Sequence, residues 1–184
     1  MITLRELAYD DPVAVELVAA LHADINQRYA YAMVDMTDEE RAADDADYLA
    51  EITPELVRPP LGTFLVAWMG DEPAGCGAVK PLDQARRVGE VKRMYTAPGA
   101  RRRGISRAVL QALEARAEGL GYELLQLETG TAQPEALALY ETAGWHRIPN
   151  YGRYRDAPDS VCFAKVLVGA SGATPDHPGP SHHS

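Results

Sequence analysis

Apolar and polar residues alternate from Ile2 to Ala8, with Ile2, Leu4 and then Leu7 on the apolar side, which predicts a first strand. The period then lengthens to that of a helix, through Val15, Leu17, Val18 and Leu21. Asp10-Asp11-Pro12 supplies an acidic cap and a proline in the first turn, so this helix should run to about Arg28. Thr37 with Glu40 three residues later has the spacing of a capping box and opens a second helix, which ends before Pro54. The runs Gly62 to Met69 and Pro73 to Val79 predict two strands joined by a hairpin at Gly70-Asp71-Glu72. A polar loop from Leu82 to Arg87 leads into a strand that starts near Val88 and includes VKRMYT, Val91 to Thr96, where β-branched and aromatic residues gather. Ala97-Pro98-Gly99 ends it.

The second half of the chain continues in the same manner. Ile105, Val109, Leu110 and Leu113 predict an amphipathic helix to Glu118, with Gly119 and Gly121 available for its C-terminal cap. Glu123 to Glu128 is a short buried strand broken by Thr129-Gly130-Thr131, and a helix follows from about Pro134 to Ala143, closed by Gly144. Trp145 to Ile148 and Val161 to Val168 are the last strands. The expectation is one domain over 1–168 and a disordered tail over 169–184, where Gly, Pro, Ser, Thr and His replace any apolar period.

One turn carries a chemical signal. Arg101-Arg102-Arg103-Gly104 sits between a strand and a helix. A helix N-terminus offers unpaired N–H groups and a positive dipole end that together hold an anion. Gly104 leaves room for close backbone approach, and the arginines add forked donors for phosphate oxygens. A pyrophosphate cradle and a plain arginine-rich surface turn both fit these residues. A P-loop does not, because Ile105 stands where that motif needs Lys.

Composition narrows the classes. The chain has 184 residues, 46% of them hydrophobic, enough for a real core. A net charge of −9 argues against general nucleic-acid or anionic-membrane binding. No apolar run reaches membrane-spanning length and the N-terminus lacks a signal-peptide profile, so a cytoplasmic protein is expected. Cys76 and Cys162 fall inside strands and read as small buried hydrophobes. His22 has no partner at metal spacing, and His177, His182 and His183 lie in the tail, so no metal is expected.

The charge is unevenly spread. Between Asp35 and Glu55 stand Asp35, Asp38, Glu39, Glu40, Asp44, Asp45, Asp47, Glu51 and Glu55 against Arg41 alone. Between Arg86 and Arg107 stand Arg86, Arg87, Lys92, Arg93, Arg101, Arg102, Arg103 and Arg107 against Glu90 alone. The basic centre suits a polyanionic cofactor. The acidic segment suits either a cationic substrate or a solvated helix face.

Arg101-Arg102-Arg103-Gly104-Ile105-Ser106 resembles the [Q/R]-x-x-G-x-[G/A] signature of the GNAT superfamily, the acetyl-CoA-dependent N-acetyltransferases. Some 30 residues on, Gln133 to Trp145 (QPEALALYETAGW) resembles that family's N-x-x-A-x-x-L-Y-E-K-x-G-F segment. Ser106 replaces the usual Gly or Ala, and Gln133 the usual Asn. The element order β-α-α-β-β-β-α-β-α-β-β is similar to the GNAT topology. The resemblance implies an α/β (α+β) fold with a mixed sheet of about seven strands flanked by about four helices.

It also implies roles. Acetyl-CoA would lie against Met94, Tyr95 and Thr96 and against Arg101, Arg102, Arg103, Gly104, Ile105, Ser106 and Arg107, with Gln133 nearby. Backbone N–H groups near Met94 and Tyr95 would polarise the thioester oxygen, and Thr96 would pair with the pantetheine. Tyr140, in L-Y-E-x-x-G, would be the general acid for the departing thiolate, being a phenol protonated at neutral pH. Glu90 would be the base, with Glu128 as its rival and a water relay as the third option. The acceptor side would include Tyr29 and Tyr31, together with Tyr151 and Arg153 of the loop from Pro149 to Ser160. The implied reaction is acetylation of a small primary amine such as an amino acid, polyamine or antibiotic-like compound. A peptide N-terminus or lysine is a second acceptor class, and a non-catalytic acetyl-CoA sensor a third reading. Dimers are common in the family, so a homodimer is one expected state.

Overall fold

The computed structural model describes residues 1–167. The expected end of the last strand at Val168 and the tail over 169–184 lie outside them. The elements are β1 (Ile2–Glu6), α1 (Pro12–Arg28), α2 (Asp38–Ala50), β2 (Thr63–Met69), β3 (Glu72–Asp83), β4 (Val88–Thr96), α3 (Ile105–Gly119), β5 (Leu124–Gly130), α4 (Pro134–Thr142), β6 (His146–Ile148) and β7 (Ser160–Val166). This is the expected order. Local chemistry accounts for the helix starts. Asp11 accepts from the Val13 N–H at 2.9 Å, and Thr37 with Glu40 closes both halves of the capping box. Two strands run longer than expected, with β3 continuing to Asp83 and β5 passing through Thr129 to Gly130.

All seven strands form one sheet in the order β1-β2-β3-β4-β5-β7-β6. β2 is covered on both faces, which is why its sequence reads as an unbroken apolar run. Leu65 and Ala67 join Ile105, Val109, Leu110 and Leu113 of α3 in one core, while Phe64 and Val66 join Ala14, Leu17 and Val18 of α1 in the other. Each fully buried Leu, Ile or Val contributes about 1.5–3 kcal/mol, so α3 is the best-anchored helix. Gly77 permits its close approach, because a Cβ there would meet Val109, Leu113 and Met94 at 2.7–2.8 Å. Cys76 and Cys162 are free and buried.

The functional geometry begins with one irregularity. β4 and β5 pair in parallel only from Val88 to Glu90 against Leu124 to Gln126. Beyond that β4 keeps pairing with β3 but with a register shift, and Arg93 sits at φ 57, in the left-handed region. A bulge of this kind bends its strand and ends local pairing. β5 meanwhile stays paired to β7 along its whole length. The two central strands therefore part, and the wedge between them opens into a cavity.

Candidate active site

That cavity measures about 320 Å³. Its walls are Leu21 and Ile25 of α1 with Tyr29 just after it, Tyr48 of α2 with Glu51 just after it, the splayed stretches Val91 to Met94 of β4 and Glu128 to Gly130 of β5, Tyr140 of α4, and the approach to β7. Glu128 and Tyr140 face it together. Burial pushes the Glu128 carboxyl up to about 7, with Lys92 and the Ser160 hydroxyl (3.1 Å) pulling the other way. Tyr140 is 4% exposed, and burial, with the Glu128 charge adding to it, lifts its phenol above the ordinary range. Among the described residues its hydroxyl has no hydrogen-bond partner.

α2 roofs the cavity without burying a single side chain. Polar contacts hold it. Arg93, 5% exposed, stacks on the Tyr48 ring at 3.8 Å and donates to the Tyr48 carbonyl at 2.6 Å and to the Tyr9 hydroxyl at 3.2 Å. Glu51 takes Lys92 at 2.6 Å and Arg93 at 3.8 Å, His22 meets Asp45 at 3.0 Å, and Arg153 meets Asp44 and Asp47. Much of the acidic segment is thus neither a plain solvated face nor free for a substrate. The basic segment divides too, since Lys92 and Arg93 serve α2, Arg87 pairs with Glu123, and Arg86 with Asp83.

Glu90, expected as a base, is placed differently. It is 4% exposed and lies between Lys80 (3.1 Å) and Lys92 (3.7 Å), accepting from the Tyr151 hydroxyl at 2.9 Å. It lines a smaller cavity of about 200 Å³ next door but not the larger one, whereas Glu51, Lys92 and Glu128 line both. Tyr151 and Arg153 also line the smaller cavity, and the Arg153 guanidinium is taken by the acids of α2. Tyr31 is 59% exposed and bonds Asp159 at 2.8 Å, whereas Tyr29 does face the main cavity. Neither Tyr31 nor Tyr151 nor Arg153 is on its wall.

The turn before α3 keeps its expected form. Gly104 caps α3 in the left-handed region at φ 80 with no side-chain cap. The first N–H to reach back is that of Ala108, onto the Gly104 carbonyl at 3.0 Å, so the N–H groups of Ile105, Ser106 and Arg107 are the open donors of the first turn. Arg102 and Arg103 are exposed beside them. Arg101 is held by Asp24 at 3.0 Å and Arg107 by Thr142 at 2.9 Å, so these two side chains are partly engaged by the protein. Gln133 donates to the Tyr29 hydroxyl at 3.3 Å. The Thr96 hydroxyl is buried without a partner among the described residues. An orphaned hydroxyl at the end of β4, open amides at α3 and Met94 on the cavity wall form a track that fits a pantetheine-pyrophosphate ligand.

The sequence pattern gave no special place to Arg93, Tyr48, Asp159 or Ser160. One signal was available for Arg93: Lys92-Arg93 puts consecutive charges, one for each face, in the middle of a strand that must be buried on both.

Comparison with known proteins agrees with the geometry. The family described as "Acetyltransferase (GNAT) family" matches residues 23–145. The chain is 44% identical over 115 residues to YsnE of Bacillus subtilis (strain 168), described as an uncharacterized N-acetyltransferase, covering 61% of this chain and 75% of that one. It is 38% identical over 112 residues to the IAA acetyltransferase of Azospirillum brasilense, covering 61% and 72%. A Klebsiella pneumoniae structure described as a candidate acyl-CoA N-acyltransferase superposes with a TM-score of 0.68 at 28% identity, over 91% of this chain and 98% of that one. An Elizabethkingia anophelis GNAT acetyltransferase with acetyl-CoA bound shares the fold at a TM-score of 0.60 and 18% identity, over 90% and 98%. This chain belongs to the GNAT family of acetyltransferases and is an acyltransferase of the kind that draws on acetyl-CoA.

Proposed function

We propose that this enzyme acetylates the primary amine of a small molecule, with Glu128 as the general base and Tyr140 as the general acid. The observation that carries the reading is their meeting in one cavity with their proton affinities shifted in useful directions. A carboxyl near 7 is largely ionised at slightly alkaline pH and still basic enough to take a proton from an ammonium. A buried phenol holds its proton until a stronger base appears beside it.

Acetyl-CoA supplies the thioester whose acyl group moves. The open amides of Ile105, Ser106 and Arg107, with Arg102 and Arg103, would hold its diphosphate, and Thr96 would take a hydrogen bond from the pantetheine arm. The main chain at Arg93 and Met94, freed from β5 by the bulge, would orient the thioester at the wedge. Glu128 Oε would accept the ammonium proton, Tyr140 Oη would give its proton to the departing sulfur as the N–C bond forms and the C–S bond breaks, and the second proton, left on the acylated nitrogen, would return to the Tyr140 phenolate to leave a neutral amide. Glu90 acts at a distance, holding Lys92 and Tyr151.

Two features favour a small acceptor over a peptide. Arg153 ties the loop before β7 to α2, where a peptide acceptor needs an open groove. The cavity is also acidic: Asp44, Glu51, Glu128 and Asp159 line it against Lys92 and Arg93. Release of free CoA thiol from acetyl-CoA, measured across a panel of primary amines, tests this. Turnover with one or more amines is expected, and turnover confined to peptide substrates refutes it.

Gly104→Val tests the cofactor track. A β-branched residue at φ 80 is strained by about 1–2 kcal/mol, and relieving that strain moves the amides that follow. Calorimetry should show acetyl-CoA affinity falling by about tenfold or more. Wild-type affinity in a folded variant would remove this turn from the binding site.

A further inference from the structure

Two of the four acids that line the main cavity already have a cation. Asp44 has Arg153, and Glu51 has Lys92 and Arg93. Glu128 and Asp159 differ. Among the described residues each has only a hydroxyl, that of Ser160 on Glu128 and that of Tyr31 on Asp159 at 2.8 Å.

The strand register fixes their spacing. Gly130 stands opposite Ser160 in the antiparallel pair of β5 and β7, and the Thr131 N–H donates to the Asp159 carbonyl at 2.9 Å. Asp159 therefore lies three residues beyond Glu128 along the same strand pair, a main-chain distance of about 10 Å. Both line the cavity. Between them stands Tyr29. Its hydroxyl rests against Gly130, where any Cβ would collide with it, and accepts from Gln133. The rings of Tyr29 and Tyr31 lie 6.1 Å apart at 41° to each other, beside the Asp159 carboxylate. Two aromatic faces and a carboxylate are the elements that recognise an ammonium group. At the reacting end, Tyr140 lines the same cavity, and its hydroxyl has no hydrogen-bond partner among the described residues.

We infer that the acceptor is a linear diamine or polyamine, its reacting amine at Glu128 and a second ammonium held by Asp159 beside the Tyr29 ring. This rests on the amine-acetylating reading above and names the substrate class. The acetyl group passes to the first nitrogen as already described, and the second ammonium keeps its protons throughout. A chain of net charge −9 also attracts polycations at long range.

The experiment compares putrescine with n-butylamine and cadaverine with n-pentylamine, pairs of equal carbon length that differ in the second ammonium. With the full chain and saturating acetyl-CoA, kcat/KM should favour each diamine by about tenfold or more, through KM. Asp159→Asn should collapse that ratio towards one by raising the diamine KM, with kcat for the diamine within about twofold. Equal rates for diamines and monoamines in the wild type, or a preference that survives Asp159→Asn, overturn the second subsite and leave amine acetylation standing. Failure to turn over any amine overturns the reading beneath it.

Discussion

Tyr140→Phe is expected to lower kcat by about 10- to 100-fold while leaving the dissociation constant for acetyl-CoA within about twofold of wild type. The expectation follows from how little else the substitution removes. The ring packs against Trp145 at 6.0 Å and Phe163 at 5.7 Å between centroids, and phenylalanine keeps both contacts. The hydroxyl has no partner among the described residues, so its loss breaks no hydrogen bond inside the protein. A folding defect is therefore a poor account of any fall in rate, and an unchanged melting temperature should accompany it. What disappears is a protonated group at the wedge between β4 and β5, kept neutral by burial and by the Glu128 charge. Single-turnover measurements with acetyl-CoA bound in advance would isolate the chemical step. A rate within twofold of wild type would strike Tyr140 from the mechanism.

The helices were legible in the sequence because their starts are chemical statements. Asp11 before Pro12 and Thr37 with Glu40 state where a chain turns into a helix, and both caps are present. The strands were legible as apolar runs, and the signature at Gly104 with its open amides followed from residue type and spacing. What the pattern could not carry was the departure of β4 from β5. That rests on Arg93 adopting φ 57, a conformation no local rule assigns to arginine, and held here by Tyr48, Tyr9 and Glu51 from remote parts of the chain. The same limit applies to the residues expected on the acceptor side. Tyr29, Tyr31, Tyr151 and Arg153 are equally plausible from composition, yet only Tyr29 faces the main cavity, because Arg153 finds acids on α2 and Tyr151 finds Glu90. The proposal of Glu128 over Glu90 rests on the lysines: Glu90 lies between two of them, and Glu128 has none within ion-pair distance among the described residues.

Replacing Glu128 by glutamine should have the largest effect, and pH is the variable that exposes it. In the wild type, kcat/KM should climb as pH rises through about 7, where the Glu128 carboxyl becomes a carboxylate able to take the ammonium proton. Tyr140 imposes no fall in the neutral range, since its phenol is held above its ordinary value. In Glu128→Gln that ascent should vanish, leaving a rate about 100-fold lower at pH 7 that rises only as the amine itself loses its proton, near 10 for a lysine-like amine. A variant whose ascent stays near 7 would assign that titration to another group and refute Glu128 as the base. Stability should move the other way. The folded-state pKa of Glu128 lies above the unfolded value of 4.5, so between them the native protein holds a proton that the unfolded chain has released. Native stability therefore falls as pH rises from about 4.5 through about 7, and glutamine, which never ionises, escapes that loss. At pH 8 the variant should melt a few degrees above wild type, and at pH 4 the difference should shrink. Glu90→Gln should do the reverse at pH 8, because it leaves Lys80 and Lys92 facing a neutral buried amide. A carboxylate whose removal makes the protein sturdier and slower is a group kept in place for its chemistry, at a site where packing alone would have chosen otherwise.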